Sequence, residues 1–260
     1  AKAKAEIIGN IKKSGTVILN RDDKFFSYLY KKAQLKNLKI VTFGKDKKSD
    51  IYPLKVSKSK NLIKIFLKAK DQKIDLEIKY INIYNILASI AVLKELNLSL
   101  NGMRRYFKTI EPTEGSGKTH FIARYNKKFR LIDESYNANP LSVKNAINNF
   151  NSINKDKFKK YLILGDMLEL GHKSEKYHKD LSKVINNSNI DKVFIKGEKT
   201  LFTYKNLIKN KQGNILQNKN DIDLVLSNII NTHDYLMIKG SNATGLYDLS
   251  KKMIKGLNAF

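Results

Sequence analysis

The chain has 260 residues, 42% of them apolar, with 50 Lys and Arg against 24 Asp and Glu and no Cys. That length allows one large domain or two small ones around a sizeable core, and the lack of Cys excludes disulfides and thiolate metal sites while leaving the redox compartment open. The formal charge of +26 invites a nucleic-acid reading. However, the lysines fall singly or in pairs, such as Lys12-Lys13 and Lys159-Lys160, without a run of five or six, so no specific nucleic acid is expected.

The amino end, Ala1-Lys2-Ala3-Lys4-Ala5-Glu6, carries no signal-peptide pattern. It also lacks an initiator Met, so the chain is read as a fragment or a processed product. Thr16-Val17-Ile18-Leu19 reads as a buried strand, residues 25–35 as a helix, and Lys39-Ile40-Val41-Thr42-Phe43 as a second strand. From Asp50 to Tyr80 the alternation of Leu62-Ile63-Lys64-Ile65-Phe66-Leu67 and Ile74-Asp75-Leu76-Glu77-Ile78 predicts antiparallel structure. Ile83, Leu87, Ile90, Ala91 and Val92 recur at helical spacing, and a further helix is predicted over residues 100–107. The longest apolar run, Ile86 to Leu93, is too short to span a bilayer, so no transmembrane segment is expected.

Glu111-Pro112-Thr113-Glu114-Gly115-Ser116-Gly117 is the best linker, about 111–118. Gly115-Ser116-Gly117-Lys118-Thr119 looks like a phosphate loop but fails: the pattern needs Gly five residues before Gly117, where Pro112 stands. It also precedes a strand-like stretch, His120-Phe121-Ile122-Ala123, rather than a helix. Beyond it, strands at 130–133, 161–164, 192–195, 214–216 and 235–238 alternate with helices of about ten residues. The expected fold class is therefore α/β. Residues 1–112 form a mixed sheet with helices, and residues 113–260 form a Rossmann-like domain with a mostly parallel sheet.

Three motifs fall at the carboxyl ends of those strands, where α/β folds bind ligands. Asp133-Glu134-Ser135-Tyr136-Asn137-Ala138-Asn139-Pro140 gathers carboxylates, a phenol and carboxamides at a strand-to-helix junction, with Asn139 as cap and Pro140 as first helical residue. Asp133 is expected at the strand end rather than in the core. Gly165-Asp166-Met167-Leu168-Glu169-Leu170-Gly171 follows the next strand. Lys239-Gly240-Ser241 follows the last one. A Lys beside a helix start suits a carboxylate or phosphate, and the plainer alternative is a solvated Lys with Ser241 or Asn242 as cap. His172 and His178 lie six apart, do not match the HExxH zinc pattern, and have no Cys partner.

In this order the three motifs closely resemble the carboxyl-terminal domain of Mur ligases of the MurF type. Ala1 to Ile7 and Leu19-Asn20-Arg21-Asp22-Asp23 resemble parts of that family's central ATPase domain. Asn82-Ile83-Tyr84-Asn85-Ile86-Leu87-Ala88 resembles its His-Asn-x-x-Asn helix start. The resemblance runs over the whole chain, and Ser135-Tyr136-Asn137-Ala138-Asn139 is specific within the superfamily.

It implies a bacterial cytoplasmic enzyme of peptidoglycan precursor synthesis, and hence of cell-wall biogenesis, shape and division. Such an enzyme uses ATP and Mg2+ to join D-Ala-D-Ala to UDP-MurNAc-tripeptide through an acyl phosphate, and is expected to be a monomer. Under the resemblance, Lys4 is the lysine carbamylated to help hold magnesium, Asn82 and Asn85 lie near adenine, and Asp133 lies near ribose. Tyr136, Asn137, Asn139, Asp166, Lys239 and Ser241 lie near the incoming dipeptide or the closing face. The sequence departs from the family pattern at Ile81, where His is expected, and at Ser116, where Arg is expected. The family's phosphate loop, magnesium-binding Glu and uridine-binding domain would all precede Ala1, so the chain is expected to be an inactive fragment by itself. Two alternatives remain: a basic, non-catalytic binding module, or a superfamily ligase with another amino-acid substrate.

Overall fold

Alternating apolar residues build the first of two sheets. A computed structural model describes residues 1–58, 62–79, 82–154 and 157–256. It divides into two compact units, Ala1–Glu111 and Pro112–Phe260. Ile81 lies outside the described residues.

In the first unit, strands β1 (Thr16–Asn20), β2 (Lys39–Phe43), β3 (Ile51–Lys58), β4 (Ile63–Ala69) and β5 (Gln72–Ile78) lie side by side in chain order. The first three run parallel and the last three antiparallel, as the alternation predicts. On β4 and β5 every second residue is buried, so Ile63, Ile65, Leu67, Ile74, Leu76 and Ile78 share one core face. Helix α3 (Ile83–Glu95) packs Ile86, Leu87, Ile90 and Ala91 into that core, and α4 (Leu100–Phe107) adds Leu100 and Phe107. Asn82 caps α3 by accepting the Asn85 amide at 3.3 Å. A smaller cluster on Ile8, Ala33 and Leu38 joins α1 (Lys2–Asn10) to α2 (Phe26–Leu35). Helix α1 has no sequence-based counterpart, because Ile8 is its only buried residue and it lacks an apolar stripe.

The second unit is a three-layer α/β sandwich. Its strands are β6 (Lys118–Arg124), β7 (Lys127–Glu134), β8 (Lys160–Gly165), β9 (Lys192–Lys196), β10 (Gln212–Ile215) and β11 (Tyr235–Lys239). They are ordered β10-β9-β8-β11-β7-β6, and every pair except β6 with β7 is parallel. β8 is buried along its whole length, which is why it reads as a continuous apolar run. One face carries α5 (Pro140–Asn151) and α6 (Ser174–Asn186), through Val143, Ile147, Phe150, Leu181 and Ile185. The other carries α8 (Lys219–Leu224), a following π-helical turn and α9 (Leu246–Ile254), through Ile222, Val225, Leu249 and Met253. The crossover helices α7 (Thr200–Tyr204) and α8 are shorter than the expected ten residues.

A candidate ligand cleft at the carboxyl edge of the second sheet

The last strand of the chain, β11, inserts between β7 and β8. Lys239 therefore pairs with Glu134 on one side and Leu164 on the other. That single fact of strand order brings together three motifs that are distant in sequence. Gly165 and Gly240 then pass so closely that a Cβ on Gly240 would lie 3.1 Å from the Cα of Gly165, a tight approach that glycine accommodates.

Backbone and side chains lock the three loops to each other. Ser241 donates its amide to the Asp166 carbonyl at 3.1 Å. The Ser241 hydroxyl accepts the Leu168 amide at 3.1 Å and donates to the Ala138 carbonyl at 3.5 Å. His178, fully buried on α6, accepts the Met167 amide on Nε2 at 3.0 Å. Its Nδ1 lies 2.8 Å from the Ser174 carbonyl, which assigns the proton to Nδ1. Burial, the largest cause, holds this imidazole below its ordinary pKa, consistent with a neutral ring. The six-residue spacing of the histidines gives no sign of this role. The visible signal is instead that His178 shares a helix face with Leu181 and Ile185.

Between these loops lies an open cleft of about 510 Å3 lined by Tyr136, Asn137, Leu168, Glu169, Ser241, Asn242 and Ala243. Tyr136 is 51% exposed and meets Tyr247 edge-on, with ring centroids 5.3 Å apart. Asn137 is exposed. Asn139 spends its side chain on the α5 cap, accepting the Ser142 amide at 2.9 Å in a reciprocal capping box.

Three residues stand differently from the sequence reading. Asp133 is not an exposed strand-end group. It has no exposed surface, and its carboxylate accepts the Gly115 amide at 2.8 Å and the Ser135 hydroxyl at 2.5 Å. The outward carboxylate is its neighbour Glu134, 22% exposed, because successive strand residues point to opposite faces. Lys239 is not solvated. It is 2% exposed, bonds the carbonyls of Glu134 and Asn137, and lies 3.5 Å from the Glu134 carboxylate. Burial outweighs that attraction on both partners, lifting the Glu134 pKa and lowering that of Lys239. Asp166 caps α7, accepting the amides of Thr200 at 2.8 Å and Lys199 at 3.3 Å. The linker stretch is likewise fastened in part: the Gly117 amide donates to the Asp133 carbonyl at 2.7 Å, and Gly115 accepts the Tyr136 amide at 3.1 Å. Gly115-Ser116-Gly117 thus turns into a strand and forms no cradle at a helix start.

In the first unit, Lys4 is exposed on α1, and Asn85 is exposed beside the capping Asn82. Asp22 gathers the amides of Lys45 at 2.6 Å and Asp46 at 3.3 Å. Burial first and the Asp22 carboxylate second raise the Tyr84 pKa. Among the described residues no group of three or more His, Asp and Glu is placed to hold a metal ion. Mg2+ takes only one or two protein ligands beside substrate phosphates, and Lys4 offers a single position for it. No described helix is long and apolar enough to cross a membrane.

Residues 1–93 match the family model described as the Mur ligase middle domain, and residues 119–242 that described as Mur ligase, glutamate ligase domain. The chain is 28% identical to the UDP-N-acetylmuramoyl-tripeptide--D-alanyl-D-alanine ligase of Buchnera aphidicola subsp. Baizongia pistaciae, over 98% of this chain and 54% of that protein. It is 28% identical to the protein of the same name from Bacillus subtilis, with the same coverages. The chain thus spans about half the length of the curated relatives it matches. A solved MurF ligase from Thermotoga maritima, in complex with ADP, superposes with a TM-score of 0.75 at 20% identity, over 98% of this chain and 57% of that one. A MurF from Acinetobacter baumannii gives 0.75 at 20% identity, over 98% and 55%. These structural matches speak for the fold.

Proposed function

We infer the function of this chain from the family it belongs to, the Mur ligases, and propose that it forms the second half of an ATP-dependent ligase joining D-Ala-D-Ala to UDP-MurNAc-tripeptide. The observation that carries the reading is the cleft in which Tyr136 and Asn137 of the Ser-Tyr-Asn-Ala-Asn motif face the loops of Leu168–Glu169 and Ser241–Ala243. The curated relatives matched over 98% of this chain carry that activity in their names.

The proposed chemistry has two steps. An oxygen of the tripeptide carboxylate attacks the γ-phosphorus of ATP and ADP leaves, giving an acyl phosphate. The dipeptide ammonium gives up a proton, the resulting amine attacks the acyl carbon, phosphate leaves, and the nitrogen loses its second proton. The cleft would hold the incoming dipeptide, with Tyr136 and Asn137 as contacts. Ser241, Asp166, Lys239 and Asn139 would set the loops in place, since their side chains are already committed to them. Asn82 and Asn85 are proposed for adenine. A ribose at the end of β7 would meet Glu134 before the buried Asp133, which would act through it. Lys4, if carbamylated, would contribute to a metal held mainly by other groups. A cytoplasmic location follows from the substrates proposed.

The test is a ligation assay on the full-length protein that carries these residues. With UDP-MurNAc-tripeptide, D-Ala-D-Ala and MgATP, we expect one ADP per pentapeptide formed, read by mass spectrometry. Lack of pentapeptide, or preference for a single amino acid over the dipeptide, would overturn the reading.

A further inference from the structure

We propose that Glu169 anchors the cleft's ligand by its primary ammonium group, so that the site selects molecules with a free amine. This rests on the reading of the cleft as the place that receives the dipeptide.

Glu169 is the one carboxylate among the residues lining the cleft. The other charged residues of the three motifs are already engaged. Asp133 is buried under Gly115 and Ser135, Asp166 caps α7, and Glu134 and Lys239 face each other. Glu169 is exposed, so a cation entering the cleft meets an available carboxylate there.

The backbone makes the placement specific. Glu169 adopts φ +62, a left-handed conformation that costs a non-glycine residue of order 1 kcal/mol. The loop is held there from both sides. Met167 and Leu168 donate their amides to His178 and Ser241, and Asp166 is bonded to both Ser241 and Thr200. Glycine would be the natural occupant of such a turn, as at Gly171 two residues on, with φ +56. A glutamate kept in this conformation on a fixed loop roots its side chain at the cleft wall, within reach of an ammonium group bound there. The same cleft offers the amides of Asn137 and Asn242 to neutral polar groups.

The experiment titrates the 260-residue chain with D-Ala-D-Ala and with its N-acetylated form, following backbone amide NMR shifts of Leu168, Glu169, Asn242 and Ala243. Wild type should bind the free amine at least tenfold more tightly than the acetylated form, the scale of one charge-assisted hydrogen bond. Glu169→Gln should weaken free-amine binding by about that factor and erase the discrimination. Glu169→Gly removes the carboxylate while relieving the positive φ, so the same loss in this variant cannot come from unfolding. Equal free-amine binding by wild type and both variants would overturn the ammonium role and leave the dipeptide reading of the cleft standing. If the dipeptide shifts none of these amides at millimolar concentration, the cleft reading falls, and the anchor with it.

Discussion

The carboxylate of Asp133 accepts the Gly115 amide at 2.8 Å from a residue with no exposed surface. It joins the turn that opens the second unit to the end of β7. Removing it leaves the Gly115 amide and the Ser135 hydroxyl without their acceptor inside the protein. Asp133→Ala should therefore lower unfolding free energy by about 2–3 kcal/mol, measured by urea denaturation of the second-unit transition. Asp133→Asn, which keeps one acceptor oxygen, should lose less. Wild-type stability in Asp133→Ala would mean that the bond is not formed.

Lys239 has three acceptors around its ammonium and 2% exposure. Lys239→Met removes the charge that faces Glu134 and frees the 134–137 backbone. The expected cost is about 2–3 kcal/mol, below that of a fully buried broken pair because Glu134 keeps some exposure to water. Amide exchange should rise at Tyr136 and Asn137 first. Unchanged protection there would show that the loop holds its shape without the lysine.

Gly115 has φ +74, and a Cβ on it would lie 2.5 Å from the Cβ of Tyr136. Gly115→Ala thus meets both a disfavoured dihedral and the Cβ of Tyr136, and should cost more than about 1 kcal/mol. The clash should also push Tyr136 away from Tyr247, changing the near-ultraviolet circular dichroism. A silent spectrum with full stability would contradict the geometry.

In the first unit Glu95 bonds Lys39 at 2.7 Å and Lys70 at 2.5 Å. Lys39 first and Lys70 second lower its pKa below the ordinary 4.5. A carboxylate with a depressed folded pKa adds stability that is present above its unfolded value and lost as pH falls through the folded one. Acid titration of the first unit from pH 5 downward should therefore show a loss that Glu95→Gln reduces. A Glu95→Gln variant with the same acid profile as wild type would remove Glu95 from that linkage.

Much of this was legible in the sequence because it depends on local patterns. The alternation on Ile63–Leu67 and Ile74–Ile78, the apolar run of β8 and the Asn139-Pro140 helix start each reflect neighbours within a few residues. The direction of a side chain at the sheet edge does not. Asp133 and Glu134 are adjacent acids, and which one turns inward depends on the register of β7 against β6 and β11. Lys239 is drawn inward because β11 lies between β7 and β8, a strand order that no local pattern encodes. Glu169 was within a recognised motif, but its dihedral and its cleft emerge only once Ser241 and His178 fix the loop.

Residues 1–260 alone should not turn over ATP, since Gly115-Ser116-Gly117-Lys118-Thr119 runs into β6 rather than a helix. Purified chain with MgATP should release no phosphate above background. Sustained hydrolysis would require a phosphate site elsewhere in these residues.

The central claim, carboxylate activation by ATP followed by amine attack, is tested most directly by oxygen transfer. The full-length protein carrying these residues would be given UDP-MurNAc-tripeptide labelled with 18O in its terminal carboxylate, together with D-Ala-D-Ala and MgATP. One 18O atom should appear in each phosphate released, because the oxygen that attacks phosphorus leaves with it. Pentapeptide formed with unlabelled phosphate would contradict the acyl-phosphate route.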